Sequence, residues 1–149
     1  MKFHPILFFL VTAIFTSHFS VADEDKEEAR PEVRLAAAKK TLSLSPNISL
    51  VYVKGLVCPS CAIGIRKNLS KMKGVDKKRF KDGIDMNPET QLVSIALKEN
   101  AIINKKDLIE RVDDAGYIAV EEYKMHDDHL DSLKFKHDAT IEVVHHTHN

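Results

Sequence analysis

The apolar positions of this chain change period several times, and each change marks an element. Ile48-Ser49-Leu50-Val51-Tyr52-Val53 is rich in β-branched and aromatic residues and predicts a strand over about 48–54. Ala62, Ile65, Leu69 and Met72 then recur at spacings of three and four, with Arg66, Lys67 and Lys71 between them. That spacing predicts an amphipathic helix over about 60–73, closed by Gly74 as its C′ residue. Ile84-Asp85-Met86, a turn at Asn87-Pro88-Glu89-Thr90, and Leu92-Val93-Ser94-Ile95-Ala96-Leu97 predict a hairpin. Asn104 caps a second helix, with Asp107 at capping-box spacing, an apolar stripe of Leu108, Ile109 and Val112, and a stop at Gly116. Tyr117-Ile118-Ala119-Val120-Glu121-Glu122-Tyr123 predicts a last strand.

The predicted order is β-α-β-β-α-β over 48–124. An α+β fold of the ferredoxin-like split βαβ type follows: a four-stranded antiparallel sheet with two helices on one face. Around this unit the pattern fades. Residues 23–47 are polar and then alanine-bearing, and read as a linker with transient helix. The segment Val75 to Gly83 is basic around a single Phe80 and reads as a solvated loop. Residues 125–149 form a histidine-rich tail in which 140–144 suggest a short extra strand.

The first 22 residues read as an export signal. Lys2 precedes an apolar run from Ile6 to Phe15, and Ser20-Val21-Ala22 supplies small residues at the expected cleavage point. The run is too short to span a bilayer, so no stable membrane insertion is expected after cleavage. The chain is therefore expected outside the cytoplasm, periplasmic or secreted. Lys+Arg and Asp+Glu number 22 each, which gives no electrostatic reason to expect nucleic acid. Length indicates one domain, and a monomer is expected.

Cys58 and Cys61 are the only cysteines, and they form a Cys-x-x-Cys between the first strand and the first helix. Thiols near a helix N-terminus are favoured as thiolates, the form that binds metal or attacks a disulfide. A bridge across so short a loop constrains the unfolded chain little, so a purely structural disulfide explains the motif poorly. Two thiolates suit a soft d¹⁰ ion of low coordination number. Cu(I) is the expected ion, with Hg(II) or Zn also compatible, although Zn²⁺ usually takes four ligands. Pro59 between the cysteines suits a first helical turn and also allows a thiol–disulfide oxidoreductase as the alternative. No tryptophan flanks the motif and no nucleophile–base set is evident, so a carrier is expected rather than an enzyme.

Gly55-Leu56-Val57-Cys58-Pro59-Ser60-Cys61, Ile65…Leu69…Met72-Lys73-Gly74-Val75, and Asp107-Leu108-Ile109 through Asp114-Ala115-Gly116-Tyr117 together resemble the heavy-metal-associated domain family. The resemblance implies that Cys58 and Cys61 hold one soft metal ion. It also implies that the ion passes by ligand exchange to a metal-transporting membrane protein or a metalloenzyme. Tyr117 falls at a family position packed near the metal loop. Leu56 stands where the family usually has a core methionine, a swap of similar volume. The segment 75–83 is longer than the family's usual connection. Six of the eight histidines, His126, His129, His137, His145, His146 and His148, lie in the tail. They read either as solvated polar sequence or, best at His145-His146-Thr147-His148, as a weak imidazole reservoir for Cu²⁺, Zn²⁺ or Ni²⁺.

Overall fold

The computed structural model describes residues 28–60 and 62–136, and the backbone of 141–145. The predicted export signal, Cys61, His137, His146 and His148 lie outside the described residues.

The elements run α1 (Pro31–Leu44), β1 (Ile48–Lys54), α2 (Ala62–Leu69), β2 (Ile84–Asn87), β3 (Leu92–Ala96), α3 (Lys105–Asp113), β4 (Ile118–His126), β5 (His129–Phe135) and β6 (Ile141–His145). From β1 to β4 this is the expected β-α-β-β-α-β order. The strands lie in the order β2-β3-β1-β4-β5-β6, antiparallel at every pairing. The first four reproduce the split βαβ arrangement. The expected four-stranded sheet is corrected to six strands among the described residues.

Period-two alternation sends β1 side chains to both faces, and both faces are covered. Val51, Val53, Val93, Ile95, Ile84 and Ala119 pack under Ala62, Ile65 and Leu69 of α2 and Leu108 and Val112 of α3. Leu50, Tyr52, Leu92, Tyr123 and Leu130 face the other way and pack with Ala38 of α1. The β1–β4 register shifts between Tyr52 and Val53: Tyr52 pairs with Glu121, whereas Val53 pairs with Ala119. The extra residue, Val120, lets β4 keep apolar side chains on both faces across the irregularity.

The segment 23–47 was expected to be a linker, and from Pro31 to Leu44 it is helical. Pro31 sits in the first turn, where its missing N–H is harmless, and alanine, leucine, lysine and arginine favour the interior. The periodic apolar signal is absent because this helix docks through Arg34 and Ala38. Arg34 is buried, with its guanidinium carbon 3.6 Å from the centroid of the Tyr52 ring. Its Nε donates to Tyr123 Oη at 3.3 Å and its Nη1 to the Ala29 carbonyl at 2.9 Å. Tyr123 Oη in turn donates to Glu121 Oε1, and Tyr52 Oη donates to Glu28 Oε2 at 3.3 Å.

The described part of the tail likewise belongs to the sheet. Residues 125–149 were read as separate from the domain, yet β4 runs on to His126, turns at Asp127-Asp128 and returns as β5. Leu130 and Ser132 of β5 are buried toward α1, while His129 is exposed. The expected short strand at 140–144 corresponds to β6, paired with β5 from Phe135↔Ile141 to Asp131↔His145.

Helix α2 ends at Leu69, short of the expected 73. After the Ser70 amide bonds Arg66, the Lys71 and Met72 amides bond only three residues back, to Asn68 and Leu69. The chain tightens into turns that reach Gly74. In the basic 75–83 segment, Phe80 is exposed and Arg79 donates to the Pro46 carbonyl at 2.9 Å.

Candidate metal centre

Strand β1 leaves the sheet at Lys54, and the next four residues deliver the chain to the site. Gly55 has φ +86, a conformation that L side chains rarely adopt. A Cβ there would sit 3.5 Å from Tyr117 Cδ1, so the loop passes directly beside the Tyr117 ring. The sequence-based placement of Tyr117 beside the cysteine loop therefore matches the geometry. Leu56 is fully buried in the core between sheet and helices. Its burial anchors the loop from below. The Leu56 amide bonds the Val53 carbonyl at 3.4 Å and the Val57 amide bonds Gly55 at 3.0 Å, which folds the loop back on the end of β1.

Cys58 follows, half-buried, while Pro59 and Ser60 are exposed. Cys58 Sγ lies 3.4 Å from Ser60 Oγ. The Ile63 amide bonds the Ser60 carbonyl at 3.4 Å, so Ser60 stands at the threshold of α2. Cys58 is thus one turn ahead of a helix whose unpaired N–H groups and positive dipole end favour an anion, here a thiolate. In this structure Cys58 is disulfide-bonded. Ion binding by its sulfur requires reduction first.

The support behind the loop is packed and hydrogen-bonded. Ala62, Ile65 and Leu69 bury the inner side of α2. Asn68 Nδ2 donates to the Arg111 carbonyl at 3.3 Å, and Arg111 Nη1 donates to the Asn68 carbonyl at 3.2 Å, which ties α2 to α3. Arg111 Nε also donates to Asp107 Oδ1 at 2.7 Å. The predicted cap at Asn104 is present: its side chain accepts the Asp107 amide at 3.1 Å. The carboxylate of Asp107 serves Arg111, one turn on. Exposed Ile63 and Ile118 flank the site from α2 and β4. Lys54 and Glu28 form a solvent-exposed ion pair at 3.5 Å beside it.

Among the described residues, no group of three or more histidine, cysteine, aspartate or glutamate side chains converges as a metal cage. Once reduced, the described part of the site offers one sulfur on an open loop. Such a site is suited to an ion that accepts few ligands and leaves room for another to enter. The signal that sequence reading missed is Glu28, which reaches this end of the sheet through Lys54 and Tyr52. It lies in a charged stretch with no periodicity to mark it.

Residues 50–117 match the family model described as the heavy-metal-associated domain. A solved structure titled "CopZ metallochaperone" is 22% identical, aligns over 49% of this chain and 98% of that chain, and has a TM-score of 0.40. Comparison with curated protein sequences finds no match. No described helix is long and apolar enough to cross a membrane.

Proposed function

We propose that this chain is an exported carrier of a soft metal ion. It holds the ion between the thiolates of Cys58 and Cys61 and passes it to a partner by ligand exchange. The observation that carries this reading is the position of Cys58. It lies half-buried, on the loop between β1 and the N-terminus of α2, inside the stretch that matches the heavy-metal-associated domain. Cu(I) is the preferred cargo, because a near-linear pair of sulfurs satisfies it; Hg(II) shares that preference, and Zn²⁺ would need further ligands. The receiving partner is a metal-transporting membrane protein or a metalloenzyme with a free thiolate.

The chemistry is binding rather than turnover. Each thiol releases its proton as it takes the ion. The partner's sulfur then adds as a third ligand before one of the chain's own sulfurs departs, so the ion is never released to water. Exposed Pro59 and Ser60 leave the outer side of the loop open to that approach. The disulfide at Cys58 makes loading depend on reduction: the reduced chain binds and the oxidised chain does not.

Anaerobic titration of the reduced chain with Cu(I) against a competing chelator tests this, with Hg(II) in parallel. One tight equivalent is expected, lost in Cys58→Ser and in Cys61→Ser. Binding that survives both substitutions would sink the proposal. Absence of a tight equivalent, together with insulin reduction above background, would replace it with the oxidoreductase alternative.

A further inference from the structure

Two of the tail histidines meet at a place the spacing in sequence does not reveal. In the β4–β5 ladder His126 stands directly opposite His129, the last pair before the two-residue turn Asp127-Asp128. Asp127 takes the left-handed conformation, φ 51, that so tight a turn demands. Directly opposed residues in an antiparallel pair have Cβ atoms only about 5 Å apart. Two imidazoles at that separation can converge on one ion at about 2.0–2.1 Å from each nitrogen.

Both side chains are exposed, and neither enters a hydrogen bond or ion pair among the described residues. The fold makes no use of them. Asp127 and Asp128 form the turn itself, and Asp131 lies two register pairs on, opposite Lys124 on one side and His145 on the other. The surroundings are therefore acidic, and they favour a cation.

We propose that the β4–β5 hairpin is a second metal site, in which His126 and His129 chelate one divalent first-row ion, Cu²⁺ above the others. Imidazole nitrogen suits these ions, and Cu²⁺ heads their affinity order. The described side chains bring no third ligand to the pair, so water completes the coordination. The site is an open chelate of modest affinity.

It is also independent of the cysteine loop. Ile118, the first residue of β4, pairs with Lys54 at the cysteine end of the sheet, and His126 closes the far end of the same strand. The eight residue steps between them span about 27 Å. No ion can bridge the two sites. The chain thus carries a sulfur site and a nitrogen site of different softness at opposite ends of one strand.

The test uses the full chain with its cysteines oxidised, so that thiolates are out of play, and copper(II) sulfate as the probe. Binding is followed by calorimetry and by paramagnetic broadening of the histidine ring signals. A variant with His137, His145, His146 and His148 all changed to Asn should keep one equivalent and broaden His126 and His129 first. His126→Asn and His129→Asn, each singly and with circular dichroism confirming the fold, should each weaken that equivalent at least tenfold. Loss of the equivalent in the four-histidine variant would overturn the proposal. So would a dissociation constant that stays within threefold in both single variants, or no broadening of His126 and His129.

Discussion

Replacing Arg34 should undock the first helix. The side chain is 7% exposed and makes three separable contacts: the Tyr52 ring face at 3.6 Å, Tyr123 Oη at 3.3 Å and the Ala29 carbonyl at 2.9 Å. A desolvated cation–π contact contributes about 1–2 kcal/mol. A buried hydrogen bond from a charged donor contributes about 1.5 kcal/mol, and the longer bond to Tyr123 less. Together these come to about 3 kcal/mol. Arg34→Met keeps most of the aliphatic volume, so it isolates the loss of the guanidinium. Arg34→Lys keeps the charge but lacks the planar fork, and should recover less than half. The assay is native-state hydrogen exchange. A docking free energy lowered by about 3 kcal/mol speeds exchange of the α1 amides by about two orders of magnitude. The Val51 and Val53 amides of the central strand should respond far less, because α2 and α3 still cover their face. An α1 exchange rate that rises less than threefold in Arg34→Met would refute the reasoning and make Ala38 and its neighbours the real anchor.

Two further outcomes follow from buried positions. A Cβ on Gly83 (φ +84) would collide with Val75 Cγ1 and stand 3.0 Å from the Asp76 carbonyl oxygen, so Gly83→Ala should cost about 2–3 kcal/mol in urea unfolding; a cost below 1 kcal/mol would mean that the 75–83 turn moves freely. Burial raises the pKa of Tyr123 above the usual 10.0, reinforced by its hydrogen bond to Glu121, and burial also raises Tyr52, partly offset by Arg34. The folded chain then keeps phenol protons that the unfolded chain releases, so stability is full below pH 10 and falls above it, by up to about 1.4 kcal/mol per pH unit for each tyrosine. Tyr123→Phe should flatten that fall, and a wild-type unfolding free energy unchanged between pH 9 and 11 would contradict it.

Local sequence was enough for the elements from Ile48 to Tyr123, because each is signalled by residues close together. The β-branched run gives β1, the three-and-four spacing gives α2, and Asn104 starts α3. The cysteine loop was legible for the same reason: its strand, its turn and its helix are contiguous, and the motif sits at their junction. Buried Leu56 and the nearness of Tyr117 to Gly55 agreed with what the resemblance implied.

Other features depend on partners far along the chain. Helix α1 carries almost no apolar periodicity, since one of its two buried residues is an arginine whose partners are Tyr52 and Tyr123. Nothing within Pro31–Leu44 announces that an aromatic surface awaits it. The tail shows the same limit: β5 buries only every second residue against a sheet face that exists once α1 and β4 are in place, so Leu130 and Ser132 look like isolated residues in a polar stretch. His126 and His129 are three apart in sequence, a spacing that suggests neighbours on a helix. Only the strand pairing makes them face each other across a turn. Period and motif are local quantities and can be read along the chain, whereas the docking of Arg34 onto Tyr52 and Tyr123 and the pairing of His126 with His129 are set by which surfaces the folded sheet leaves open.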